Sequence, residues 1–474
     1  MDSAGGDGSA PPEGATPCGT DMFGLPVSAA PPECVRAVDA YYEAVLAYRP
    51  LGDWVVAEEA SAAHPGCPLL RVLAADCALC RGDAPRAREL LGGLAAEAAA
   101  SLTWRERVYL EAWSSWVVDG DPGEACARLL EVVERHPRDL FAVKRGQALA
   151  LTLGDGAKIL AIVERAAAAA SGEALTRFLH GMWSFGLGQQ GQYEEAEAKA
   201  REGLAHEAVL GRDAWLDHAL AHALYFQGED RLEEAIEFLE SRRLSWSADE
   251  LHPSLYAQCW WQLALLHCES RDVEAAVQIF DERLWSPSRE RVWGDPQAQL
   301  SALDLLWRLD TRGASSETRP RWAQVLAACR GVFLPPSDKA GAAAPCQHTD
   351  LLLDVLLVRA LCVDAAADAR ALDAFLESLA AHGGKIAAGA GAGAAERAGA
   401  YVAIAQATAT LFRTDQPEAG LPARHSKARQ QLRELRSQWA SIGGSEQQRG
   451  ILMEAVEGPM ICGEPERNYD KLFF

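Results

Sequence analysis

His218 and His222 lie four residues apart in an apolar stretch of this 474-residue chain. On a helix that spacing puts both imidazoles on one face, where they could ligate a single metal ion. A third ligand is needed, and none is evident at a useful spacing, so the pair reads as hydrogen-bonded packing or groove-lining histidines. Cys77-x-x-Cys80 has redox or zinc-ligand spacing. A redox pair wants an α/β context and a zinc site wants a second pair, so two thiols in a helix are the better reading. Gly186-x-Gly188-x-x-Gly191 matches the dinucleotide fingerprint by its letters. That chemistry needs a strand before the first glycine and a helix N-terminus to receive the pyrophosphate. Here a helical pattern precedes it, and Gly191 is a turn. No Gly-x-Ser-x-Gly, phosphate-binding loop or His-Glu-x-x-His occurs. Gly443-Gly-Ser445 precedes a helix that Ser445 can cap, with Glu446 at its positive end.

The elements that must position these residues are helix pairs. Gly181-Met-Trp-Ser-Phe-Gly-Leu187 and the following Gly191-Gln-Tyr-Glu-Glu-Ala196 read as a helix, a tight turn and the start of a second helix. The pattern recurs on small or apolar anchors at Ala87, Ala125, Ile159, Ala196, Ala235 and Ala276, at intervals of 38, 34, 37, 39 and 41 residues. A turn precedes each anchor, at Gly82, Gly120, Gly154, Gly191, Asp230 and Arg271. An apolar or small residue follows one helical turn later, at Leu91, Leu129, Val163, Ala200, Leu239 and Phe280. Small anchors let helices approach closely, and a glycine ends the first helix in a left-handed conformation. A period of this length predicts a helical solenoid.

The pattern resembles the tetratricopeptide repeat: antiparallel helix pairs stacked into a right-handed superhelix with a concave groove. A closer resemblance, over roughly residues 35–457, is to the tetratricopeptide repeat protein 38 family. It rests on His136-Pro-Arg-Asp139 with Ala142-Val-Lys144, on Gly181–Leu187, and on Asp213-Ala-Trp215 with His218 and His222. Ala275-Ala276 with Ile279-Phe-Asp281, Leu306-Trp-Arg-Leu309, and Ile442-Gly-Gly-Ser445 with Gln448-Arg449 complete it. The resemblance implies a helical-repeat fold without established catalytic activity, and histidines inside the first helices. This chain departs from that histidine pattern. Gln147-Ala148 stand for a His-Asp pair, Leu224 and Tyr225 for a third His and a Glu, and Gln258 and Gln262 for two further histidines.

Lys and Arg total 45 against 67 Asp and Glu, a net charge of -22. That balance repels phosphate backbones, so no nucleic-acid partner is expected. Twelve irregularly spaced cysteines, no long uncharged apolar run and no leader-like N-terminus predict a cytoplasmic chain with no membrane partner. Residues 1–33 are expected to be disordered, 34–310 to form the repeats, and 311–349 to be loops around a short helix near Trp322–Cys329. Further helical repeats are expected over 350–457, with a flexible Gly/Ala-rich loop at 383–395, then a tail over 458–474. The expectation is an all-α solenoid without enzymatic activity, cofactor or metal, binding a protein or peptide partner in its groove. The polar-aromatic stripe assigned to that partner is Gln147, His180, Trp183, His218, His222, Gln258 and Gln262. An enzyme or metalloprotein using the same histidines, or a structural subunit of a larger assembly, are the rival expectations.

Overall fold

A computed structural model describes residues 17–28, 31–94, 102–169, 173–330, 334, 346–348, 350–389, 393–413 and 421–458. Among them the regular structure is helical apart from one two-stranded ribbon and an isolated bridge. No described helix is long and apolar enough to cross a membrane. The chain divides into two compact units, 1–145 and 146–474.

The first unit opens with strands β1 (Pro17–Thr20) and β2 (Pro26–Ser28), paired antiparallel. Helices α1 (Pro32–Leu46), α2 (Leu51–Trp54), α3 (Val56–Ala63), α4 (Pro68–Cys80), α5 (Ala84–Leu91), α6 (Trp104–Val117) and α7 (Pro122–Arg135) follow. The hairpin corrects the expected disorder of 1–33. Its tip residue Asp21 accepts from the Phe23 and Leu25 amides and pairs with buried Arg105 at 2.6 Å. Phe23 stacks on Tyr42 with ring centroids 5.0 Å apart. Local turn bonds, the ion pair to Arg105 and the ring contact with Tyr42 thus order a Gly/Pro-rich stretch that composition alone marks as unstructured. Positions 1–16 and 29–30 lie outside the described residues. The unit's interior is tied together at Asp76, whose carboxylate accepts from Tyr41 Oη at 2.6 Å, Trp113 Nε1 at 3.1 Å and Arg145 Nε at 3.0 Å.

Helix α8 (Leu140–Thr152) contains the boundary between the units. The second unit continues through α9 (Gly156–Ala169), α10 (Glu173–Gly188), α11 (Tyr193–Ala205), α12 (Glu207–Leu210), α13 (Ala214–Phe226) and α14 (Leu232–Arg242). Next come α15 (Pro253–Glu269), α16 (Val273–Ile279), α17 (Pro296–Thr311) and α18 (Ser315–Cys329). The last helices are α19 (Leu351–Ala387), α20 (Ala394–Phe412), α21 (Leu421–Glu434) and α22 (Glu446–Glu457).

The helix-turn-helix grammar has a local physical basis. Gly82, Gly120, Gly154 and Gly191 have φ of 70 to 81°, and Arg271 adopts φ 66° without being glycine. After four of these turns the next amide reaches back five residues, Asp83 to Ala78, Asp155 to Ala150, Gln192 to Leu187 and Asp272 to His267. Those bonds satisfy carbonyls that a helix end otherwise leaves bare. Asp83, Asp121, Asp155 and Asp272 then cap the following helix with their side chains. The sixth turn sits at Gly228, φ 106°, rather than at Asp230, which lies in a short 3-10 helix. All six anchors and all six residues one turn later are buried.

Two expected loops differ from the structure. Within 311–349, α18 covers Ser315–Cys329, while 331–333, 335–345 and 349 lie outside the described residues. Within 383–395, helix α19 continues through Gly383 and Gly384 to Ala387. Gly383 is useful there because a Cβ would come within 2.7 Å of Val402 in α20. Of the tail, 459–474 lies outside the described residues.

α19 also reverses direction. Tyr401 of α20 hydrogen-bonds Asp354 near the start of α19 and lies 3.9 Å from the Cβ position of Gly383 near its end. A straight helix would separate those positions by roughly 40 Å at about 1.5 Å per residue. Cys362 reaches the Ala409 carbonyl and Arg413 pairs with Asp373, which places the fold-back between Cys362 and Asp373.

Candidate functional site

Five of the seven stripe residues, Gln147, His180, His218, His222 and Gln262, are buried, and Trp183 and Gln258 are half-buried. Three converge. The His218 and His222 rings, one turn apart on α13, have centroids 6.2 Å apart. With its amide nitrogen turned toward them, Gln262 of α15 donates to His218 Nδ1 at 2.8 Å and to the His218 carbonyl at 3.1 Å. The remaining four are dispersed. Gln147 donates to the carbonyls of Ile159 at 2.9 Å and Met182 at 3.1 Å, so it ties helices together. His180 stacks on His206, and Trp183 lies under the Lys199 ammonium at 4.4 Å. Gln258 donates to Gln297 at 3.2 Å.

The C-terminal segment covers much of this lining. Gln262 meets Gln447 of α22 at 3.2 Å, and Gln297 accepts from both Gln258 and Gln448. Gln189 stands 3.5 Å from His222 Nε2 and accepts from the Glu446 amide at 3.2 Å. Ser445 caps α22 reciprocally with Gln448, as the sequence suggested in part. The chain's own C-terminal segment therefore covers the part of the stripe around His222, Gln258 and Gln262. The sequence could not show this, because Gln189, Gln297 and Gln447 look like ordinary polar residues until α22 is seated against Gln262.

The strongest electrostatic feature of the site was missed altogether. Arg308 is fully buried and pairs with Asp304 at 2.8 Å and Glu454 at 2.6 Å, while Nη2 donates to the Gln447 carbonyl at 2.7 Å. Arg312 bridges Glu454 at 2.7 Å and Glu269 at 2.9 Å. Tyr225 Oη donates to Glu269 at 3.3 Å and Trp261 Nε1 to Asp304 at 2.6 Å. The available signal was an arginine set inside the apolar run Leu305-Leu-Trp-Arg-Leu309, where an unpaired charge would be prohibitive.

Titration follows from burial. Burial, with help from His218, holds His222 down to about 3, so its imidazole is neutral. Burial pushes the Glu269 carboxyl up to about 7, with the Arg312 guanidinium pulling against it. A carboxyl whose folded pKa is raised binds more protons folded than unfolded. Its contribution is full below the ordinary carboxylate range and is lost as pH rises toward 7. Stability should therefore fall through this group between about pH 4.5 and 7. Denaturant melts of the wild type and Glu269→Gln across that window check this: the substitution should flatten the dependence.

Other motifs take their places. Gly186 and Gly188 lie inside α10 with Gly191 at the turn after it, so no strand precedes the dinucleotide-like string. Instead a Cβ at Gly186 would come within 3.1 Å of Leu160 Cα. Cys77 and Cys80 are thiols at the end of α4, and burial pushes Cys77 up to about 12. Among the described residues no three His, Cys, Asp or Glu side chains are grouped to hold a metal ion.

Two adjoining pockets open beside the lining. One, of about 310 Å³, is bounded by residues including Gln189, Gln190, Tyr193, Glu446 and Arg449. The other, of about 520 Å³, shares Ala440, Glu446 and Arg449 with it and adds Arg433, Arg436 and Trp439. Burial draws Arg449 down to about 10, and its Nη1 donates to the Gly443 carbonyl at 3.3 Å. Tyr193 Oη donates to Glu446 at 3.1 Å. No protein-family model matches the chain.

Proposed function

We propose that the chain is a helical-repeat scaffold of tetratricopeptide type, similar to the tetratricopeptide repeat protein 38 family, that binds a peptide or protein partner. In this reading the polar lining performs no chemistry of its own. The observation that carries it is the pair of adjoining pockets, because the wall of the second includes Arg436 and Trp439, two side chains that each keep an unpaired donor. Arg436 Nη2 and Trp439 Nε1 are buried and have no hydrogen-bond partner among the described residues. Buried donors of this kind are costly unless something accepts from them, and peptide carbonyls and carboxylates do so well. Burial of His218, His222 and Gln262 moves the binding face to the pockets beside them, which Gln189, Glu446 and Arg449 line. The net charge of -22 argues against nucleic acid, and a cytoplasmic location is part of the proposal.

The test is co-purification of the full chain from its native cells, followed by cross-link mapping. A stoichiometric partner cross-linked beside Arg436 and Trp439, and weakened at least about tenfold by Arg436→Ala with the melting temperature unchanged, is the expected result. A partner bound equally well by that variant would count against this face. Stoichiometric zinc or iron in the purified protein would favour a metalloprotein instead.

A further inference from the structure

The fold-back of α19 assembles side chains that the partner-binding reading does not use. His348 enters just before α19 and is almost fully buried. Its Nδ1 lies 3.0 Å from Asp354 Oδ2, and its Nε2 lies 2.9 Å from Ser378 Oγ. Asp354 is on the outgoing limb of α19 and Ser378 on the returning limb. The carboxylate faces Nδ1, so that nitrogen carries the proton and Nε2 is left to accept from the serine hydroxyl. This is the order of contacts by which a serine is activated as a nucleophile.

We propose that Ser378, His348 and Asp354 form a nucleophilic relay that cleaves a carboxylic ester, with Ser378 as the attacking group. The proposal is independent of the partner-binding reading. Ser378 Oγ bonds to the acyl carbon as its proton passes to His348 Nε2. The ester C–O bond breaks, and that proton leaves on the alcohol. Water, deprotonated by the same nitrogen, then attacks the acyl-serine. The carboxylic acid departs and the serine regains its proton.

The surroundings support each role. Tyr401 Oη donates to the same Asp354 oxygen and fixes the carboxylate, so Tyr401 and Asp354 are positioning residues. Burial pushes the Asp354 carboxyl up, and the hydrogen bond from His348 draws it back. Phe375 and His382 flank the His348 ring, at 5.6 and 4.9 Å between centroids. His382 lies one helical turn beyond Ser378 on the same face. Burial holds it down to about 4, so the ring stacked on His348 is a neutral imidazole that adds no positive charge beside the base. Cys346 also lies close to Ser378, but burial raises its thiol, which keeps it protonated and leaves the serine as the nucleophile. Ser378 itself is half-buried rather than sealed off.

The test uses the full chain and an alkyl fluorophosphonate, which transfers phosphorus to an activated serine with loss of fluoride. Peptide mass spectrometry should find the label on Ser378, and Ser378→Ala should abolish it. Asp354→Asn should slow labelling by roughly a hundredfold to ten-thousandfold. Tyr401→Phe should slow it less and change its pH profile, which a purely structural residue would not. p-Nitrophenyl acetate should give a burst of nitrophenol of one equivalent per chain. A helical, cooperatively melting wild type left unlabelled at Ser378 would overturn the proposal, as would labelling of Ser378 at an unchanged rate in His348→Ala. If that variant fails to fold, the result on the wild type still decides.

Discussion

Gly154→Ala is expected to destabilise the second unit by at least about 3 kcal/mol and to loosen residues 436–457 from the rest of it. Two effects add. Gly154 holds φ 70°, which costs an alanine about 1 kcal/mol or more. In addition, a Cβ at Gly154 would lie 1.7 Å from the backbone oxygen of Ala440 and 2.4 Å from its carbonyl carbon. A backbone carbonyl cannot rotate away as a flexible side chain does, so the segment before α22 must move. Gly443 makes the reciprocal approach, with its Cβ position 2.8 Å from the Thr152 oxygen. Gly120 supplies the control: it also has φ 70°, but a Cβ there meets nothing within 4 Å. Gly120→Ala should therefore show the conformational strain alone. Urea melts compare the two variants, and hydrogen exchange of 436–457 reports the loosened segment. Equal losses for both would mean that the close approach to Ala440 contributes nothing.

Arg308→Met should cost about 3 to 5 kcal/mol, the range for removing one partner of a buried ion pair. It strips the guanidinium from Asp304 and from one oxygen of Glu454, both buried with it. Arg312 still holds the other Glu454 oxygen at 2.7 Å, and Trp261 still donates to Asp304 at 2.6 Å, so the chain should fold. The combined variant Arg308→Met, Asp304→Asn, Glu454→Gln should recover much of the loss, because no uncompensated charge remains. Equal destabilisation of the single and triple variants in urea would show that packing around Arg308, not charge, carries the effect.

Much of the local architecture is readable without the structure because its causes are local. A glycine ends one helix and the aspartate after it caps the next, at Gly82-Asp83, Gly120-Asp121 and Gly154-Asp155. Arg271 does the same work without glycine because Asp272 completes the bond back to His267. Reading fails where local composition misleads. Gly383 and Gly384 look like a flexible loop, but α20 packs against that face and holds it helical. Asp21 and Phe23 sit in a stretch whose composition suggests disorder, yet an ion pair and a ring contact with residues far along the chain order it.

The same division governs the functional residues. The sequence by itself determined that Gln147, His180, Trp183, His218, His222, Gln258 and Gln262 lie on helices, and that His218 and His222 share one face, because helical spacing dictates both. Only the tertiary structure decided that α22 covers part of that face, since Gln447 and Glu446 come from nearly two hundred residues or more beyond their partners Gln262 and Gln189. It also decided that Ser378 and Asp354, 24 residues apart on one helix, meet across a single imidazole. Helical periodicity sets the direction of each side chain, but not where a helix turns back. Both limbs pack against α20, and the turn between them brings Ser378 to His348.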